Sequence, residues 1–113
     1  MESRAVARYV RITPRKARSV ANALRGKPVE QAMNILTFTP RRAARILRKL
    51  LVSAVSNAED KAKGKLDVDN LIVSRVFVNQ APTLKRWRAR AFGRATRVEK
   101  KSCHITVELA EKE

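Results

Sequence analysis

The chain is poor in several kinds of residue, and each shortage excludes something. A single cysteine, Cys103, occurs in 113 residues, so no internal disulfide can form and nothing points to an oxidising compartment or a cysteine-rich zinc cluster. The single histidine, His104, follows it directly. Alternation along a strand would send the two side chains to opposite faces, which defeats both a thiolate–imidazole pair and a shared metal site. There is no Gly-rich phosphate loop after a strand and no convergent set of carboxylates, so neither an enzyme nor a metal or other cofactor is expected. Aromatic residues make up 4% of the chain, which leaves aliphatic side chains to build the core. No apolar run approaches the roughly 18–20 residues of a membrane span. The opening MESRAVARYVRITPRK carries an acid and arginines where a secretory signal needs an apolar centre, so no membrane partner is expected. Acids are scarce as well: ten Asp and Glu against 26 Lys and Arg leave a formal charge of +16.

A charge of that size calls for a polyanionic partner, because self-repulsion opposes the compact state. The 44% hydrophobic content argues against a disordered basic tail, and the length suits a single domain spanning 1–113. The excess charge is not evenly spread. Residues 1–27 hold eight basic and one acidic side chain, residues 28–65 eight and three, and residues 81–101 eight and one, whereas 66–80 and 102–113 are slightly acidic. A basic tail would instead form one block at a terminus.

The spacing of apolar residues predicts three helices in the first half. Thr13 and Pro14 form a cap-and-proline start, after which Ala17, Val20, Ala21 and Leu24 fall on one face, with Gly26 placed to end the helix. Pro28 restarts the pattern with Val29, Ala32, Met33 and Leu36, although Lys27 is a poor cap. Thr39 and Pro40 precede the longest helix, with Leu47, Leu50, Leu51, Ala54 and Ala58 inward, arginines outward and an end near Lys63-Gly64. In the second half the period changes. Residues 71–78 read as a well-buried strand, and Cys103, Ile105, Val107 and Leu109 alternate with polar residues as a half-buried one. Residues 3–12 have β composition but blurred alternation. The expected fold is α+β: a small antiparallel sheet of about three strands packed with three helices.

Between the last two strands, APTLKRWRARAFGRATRVEKK (81–101) has too few large apolar residues for a core layer. Its alternation suits an extended, basic, two-stranded hairpin, with Gly93 available for a turn or bulge. The globular part is then about 1–80 and 102–113.

The basic residues favour nucleic acid. Arginine outnumbers lysine in both main blocks and offers a planar fork for phosphate oxygens. Arg15, Lys16 and Arg18 near a helix N-terminus oppose the macrodipole unless an anion lies between. Arg41, Arg45 and Arg48, with Arg42 and Lys49 beside them, form a helix face, and the absence of acids from 31–58 favours phosphate contact over a merely solvated surface. Trp87 either stacks on an unpaired base or packs within the arm, His104 faces solvent or RNA, and Cys103 fills the core. With no recognition helix in evidence, the contacts read shape. Neutralising about ten phosphates would give a log–log salt slope of roughly −7 to −9. A DNA-architectural protein with a basic β-arm is the competing reading.

In collinear order, ARYVRITPRKARSVANALRG (7–26), QAMNILTFTPRRAA (31–44), SAVSNAE (53–59), APTLKRWRARAFGRA (81–95) and CHITV (103–107) resemble the large-subunit ribosomal protein twenty-two family. The resemblance covers nearly the whole chain, departing from the bacterial pattern at Ala81, Trp87, Ala89 and Phe92. It implies a structural constituent of the large ribosomal subunit that binds 23S-type rRNA, supports early subunit assembly and lines the polypeptide exit tunnel with its hairpin. The implied partners are large-subunit rRNA, neighbouring ribosomal proteins including the other protein of the tunnel constriction, and the nascent chain, with no homo-oligomer. The implied setting is the cytoplasm, with an organelle's stroma or matrix left open. Carried onto this sequence, the rRNA-binding residues are Arg8, Arg11, Arg15, Lys16, Arg18, Arg25 and Lys27, then Arg41, Arg42 and Arg45, then Lys85, Arg86, Arg88, Arg90, Arg94, Arg97, Lys100 and Lys101, with His104. The hairpin tip at the tunnel is Leu84, Lys85, Arg86, Trp87, Arg88, Ala89 and Arg90.

Overall fold

Proline and the apolar stripes set where the helices begin and which way they face. A computed structural model describes residues 2–62, 70–89, 93 and 95–111. Helix α1 (Pro14–Ala21) opens on Pro14, whose missing N–H is harmless in a first turn, and buries Pro14, Ala17, Val20 and Ala21. Thr13 is extended at the cap position, but its hydroxyl makes no capping bond. The helix stops short of Gly26. Tight turns, with Ala23 N–H donating to Val20 O and Leu24 N–H to Ala21 O, carry Leu24 into the core instead. Gly26 has the left-handed φ of +75°, as expected, but it serves a different purpose. It lays residues 26–28 along a strand edge, where Gly26 N–H donates to Val73 O and Val73 N–H to Lys27 O, each at 2.9 Å.

Helix α2 (Val29–Phe38) has Pro28 itself at the cap position and buries Val29, Ala32 and Leu36. The Thr39 hydroxyl turns back to Ile35 O at 2.6 Å, so it closes α2 and does not cap the helix that follows. Helix α3 (Arg42–Ala62) buries Leu47, Leu50, Leu51, Ala54 and Ala58 as its spacing predicts, and also Ala43 and Ala44. The expected end at Lys63-Gly64 lies outside the described residues.

The strands are β1 (Glu2–Val10), β2 (Leu71–Gln80), β3 (Leu84–Ala89), β4 (Ala95–Lys100) and β5 (Cys103–Glu111). An antiparallel sheet in the order β1-β5-β2 and a second pair, β3-β4, account for all of them. The three helices cover the face of the larger sheet that carries Ala5, Val73, Val76, Val78, Cys103, Ile105, Val107 and Leu109, giving an α+β fold with one aliphatic core cluster. Its largest fully buried side chains include Leu24, Leu47, Leu51, Ile105 and Leu109. β5 is the half-buried strand its alternation predicts, with Cys103, Ile105, Val107 and Leu109 buried and His104 and Glu108 on the alternate face only partly so. Ser102, just before it, and Thr106 are also buried, Thr106 because it lies between Val6 and Phe77 of the two neighbouring strands.

The blurred alternation of the N-terminal strand also has a physical cause. Pairing with β5 runs regularly from Glu2↔Ala110 to Ala7↔Ile105 and resumes at Val10↔Cys103, one residue out of step. Tyr9 occupies the bulge with φ +56°.

The larger sheet continues toward the arm. Ala81 N–H donates to Ser102 O at 3.1 Å, the Ser102 hydroxyl to Pro82 O at 3.3 Å, and antiparallel pairing then runs from Leu84↔Lys100 to Ala89↔Ala95. Extents of 65 × 25 × 17 Å and a radius of gyration of 17.3 Å exceed the ~13 Å expected of a compact chain of this size. Among the described residues no helix is long and apolar enough to cross a membrane.

Candidate nucleic-acid interface

Three basic segments that are far apart in sequence meet in one cleft. It has a volume of about 810 Å³ and is lined by Arg11, Ile12, Thr13 and Lys16 from the β1–α1 region, Arg41, Arg42 and Ala43 from the start of α3, and Glu99, Lys100 and Lys101 from the end of β4. The lining thus holds six cations and one acid. Neither α1 nor α3 has an acid in its first turn, and α1 has no side-chain cap. Both helices therefore present the positive ends of their dipoles to a cleft already lined with cations. An anion such as a phosphate relieves both effects at once.

The basic track continues along α3. Arg41 and Arg42 are shared with a neighbouring groove that also takes in Arg45 and Arg48, and Arg45 and Arg48 are in turn shared with a shallower one reaching Lys49. These arginines are exposed while Ala43, Ala44, Leu47 and Leu50 are buried beneath them, so one amphipathic helix supplies both core and track. Arg41 Nη1 donates to Ser19 Oγ at 2.9 Å, which ties the track to α1.

The other predicted residues divide into distinct groups. Arg8, Arg15 and Lys27 are exposed outside the cleft. Arg18 and Arg25 are engaged by the fold: Arg18 donates from Nε and Nη2 to Val78 O, at 3.2 and 2.9 Å, and Arg25 from Nε and Nη2 to Val76 O, at 3.0 and 2.9 Å. Together with residues 26–28, these guanidiniums satisfy the free edge of β2, which would otherwise be a pairing hazard. Sequence spacing gave no hint of this duty. On the arm, Lys85, Arg86 and Ala89 are exposed. Leu84 and Arg88 lie on β3 and Arg97 on β4, while Arg90 and Arg94 fall outside the described residues. Trp87 is 71% exposed, which decides against packing within the arm.

His104 is half-buried on the face opposite the helices. Its Nδ1 accepts from Tyr9 N–H at 3.0 Å, and the two rings meet edge to face with centroids 4.8 Å apart. Cys103, on the other face, is fully buried. Burial raises its thiol pKa above the ordinary value, opposed by the nearby Arg18 guanidinium. The unfolded thiol ionises near ~8.5, so the stability contributed by its neutral form is full below that pH and declines as pH rises through the higher folded value. A thiol reagent at pH 7.5 should label native Cys103 roughly 100-fold more slowly than urea-unfolded chain, and Cys103→Ala should lose the alkaline component of the stability profile. Equal labelling rates would show that the site is open.

Sequence reasoning also missed two exposed aromatics, Tyr9 and Phe38, which are 65% and 82% exposed. The blurred alternation of β1 was the available signal for Tyr9.

A family model described as Ribosomal protein L22p/L17e matches residues 5–110. The chain belongs to that family. It is 54% identical over 111 residues to the large ribosomal subunit protein uL22 of Myxococcus xanthus, covering 98% of this chain and 97% of the relative. It is 52% identical over 112 residues to the protein of that name from Syntrophobacter fumaroxidans, covering 99% and 100%. Membership in the L22p/L17e family bears out the expectation of a structural rather than a catalytic protein.

Proposed function

We propose that the chain is a structural constituent of the large ribosomal subunit that binds 23S-type rRNA and supports early subunit assembly. The observation that carries this reading is the cleft, where residues from three separate basic segments converge. Such an arrangement suits RNA that wraps the protein on several sides, with phosphates seated between helix N-termini and the base of the arm. The relatives named above are large-subunit proteins, and neighbouring ribosomal proteins, including the partner at the tunnel constriction, complete the surroundings. Residues 1–80 and 102–113 act as the globular body. Residues 81–101 act as a hairpin lining the polypeptide exit tunnel; because Leu84 pairs with Lys100 at the base of the arm and Ala89 with Ala95 farther out, the expected tip at Leu84–Arg90 is corrected to the end beyond Ala89, which faces the nascent chain. The exposure of Lys85, Arg86 and Trp87 supports this, since a two-stranded ribbon with so little apolar cover becomes well ordered when a partner surrounds it.

The test is a tagged chain carrying a photo-crosslinking residue at position 87, followed through sucrose gradients from cells. It should sediment with large subunits and their precursors and cross-link to nascent peptide. Absence from those fractions would overturn the rRNA reading. Presence without any nascent-chain adduct would overturn the tunnel assignment alone.

A further inference from the structure

Aromatic residues are few in this chain, and a tyrosine held exposed by an unfavourable backbone needs a reason. Along β1, strict alternation would turn Tyr9 toward the helices and Val10 toward solvent. The one-residue bulge reverses this: Val10 packs partly buried against the core, and Tyr9 moves to the open face, where its ring meets His104 edge-on. A left-handed φ of +56° is costly for any side chain but glycine. Bulges of this kind re-aim a side chain. The His104 ring fixes the arrangement by accepting the Tyr9 N–H, which leaves Nε2 as its N–H donor.

The surroundings are those of a sheet face without helix cover. Asn79 lies opposite His104 in the register and is exposed, so an amide sits beside the imidazole. The next row is Val6, Thr106 and Phe77, followed by Arg4, Glu108 and Arg75. Val6 is 43% exposed, and Arg75 lies over the Phe77 ring at 5.4 Å while also pairing with Glu108 at 3.8 Å. The face thus combines an accessible aromatic ring, two polar side chains for hydrogen bonds and arginines at its borders, including exposed Arg4 and, beside the bulge, exposed Arg8.

We infer that this face, opposite the helices and distinct from the basic cleft, is a second RNA contact that holds an unpaired base. The base stacks on Tyr9 within reach of the Asn79 amide and His104 Nε2–H, and Arg8 neutralises a flanking phosphate. Ring stacking suits any base, whereas the amide and imidazole give a preference through the base edge. The charge decides between occupants: a protein partner would have to be strongly acidic to meet these arginines, whereas an RNA strand supplies both the anion and the planar ring.

The inference rests on the rRNA-binding reading, and the experiment separates the two. Binding of the full chain to large-subunit rRNA is measured across a salt series for the wild type and for Tyr9→Phe, Tyr9→Ala and Tyr9→Gly, alongside thermal melts. Tyr9→Phe should bind as the wild type does. Tyr9→Ala should bind roughly tenfold more weakly or worse, with an unchanged log–log salt slope, because a stacking contact releases no counterion. Tyr9→Gly should show the same loss while its melting temperature holds or rises, since glycine relieves the backbone. Full affinity in both Tyr9→Ala and Tyr9→Gly would overturn this site and leave the rRNA reading standing. Failure of the wild type to bind rRNA would overturn both.

Discussion

Replacing Lys16, Arg41 and Lys100 together by glutamate is expected to weaken binding to large-subunit rRNA at least about 100-fold. Each lies in a different stretch of sequence, yet all three line the same cleft. A charge-assisted bond to phosphate contributes on the order of 1–1.5 kcal/mol when exposed to solvent, so three lost contacts remove roughly 3–4.5 kcal/mol, at about 1.4 kcal/mol per tenfold. The salt dependence gives an independent check. Loss of three phosphate contacts should reduce the magnitude of the log–log slope by about 2–3. All three residues are exposed, so the melting temperature should move little. A general loss of positive charge would make Lys61→Glu, at the far end of α3, as damaging as Lys16→Glu, and that equality would dissolve the cleft as a site. Duplex DNA at matched salt serves as the competitor. Equal affinity for DNA and rRNA would favour the architectural reading, in which phosphates matter and RNA shape does not.

Where the sequence carried a period, it carried the fold. The α3 stripe from Leu47 to Ala58 and the inward set of β5 read directly from spacing, because burial follows the helical or strand repeat. Local chemistry at the element ends was less legible. Thr13 and Thr39 look alike before a proline, yet one hydroxyl makes no cap and the other bonds backward to Ile35. Gly26 signalled a left-handed residue but not the strand edge it would serve. Charge counting marked the right segments, but it could not distinguish an arginine facing solvent from one holding a strand carbonyl, as Arg18 and Arg25 do. That difference depends on the distance between α1 and β2, which no one-dimensional pattern encodes. The cleft itself was hidden for the same reason: its three segments are neighbours only after folding. Tyr9 left a trace, in that its bulge disturbed the alternation of β1, but the disturbance could be interpreted only with the register known.

Leu47→Ala should be the most damaging conservative change in the core, and its consequence should depend on RNA. Leu47 is fully buried on α3, the helix that packs against both the sheet and the other helices. Truncation there removes about 2–5 kcal/mol, from transfer of the lost methyl groups and from the cavity left behind. Domains of this size hold only about 5–15 kcal/mol in total. With an unfolding entropy of ~2.1 cal/mol/K per residue, a loss near 3 kcal/mol lowers the melting temperature by roughly 12 °C. Val52→Ala on the same helix, where the side chain is 48% exposed, should shift it by about 2 °C or less. A charge of +16 makes the isolated protein sensitive to its counterions, so moderate salt should stabilise Leu47→Ala by screening self-repulsion. The same salt should weaken rRNA binding, and the opposite signs separate folding from association. At an rRNA concentration 100 times the dissociation constant, linkage contributes about 2.7 kcal/mol to the folded state, nearly the whole deficit. The variant should therefore melt early alone and, on rRNA at low salt, close to the temperature of the RNA-free wild type. A variant melting temperature that saturating RNA does not raise would mean that the RNA does not select the folded chain.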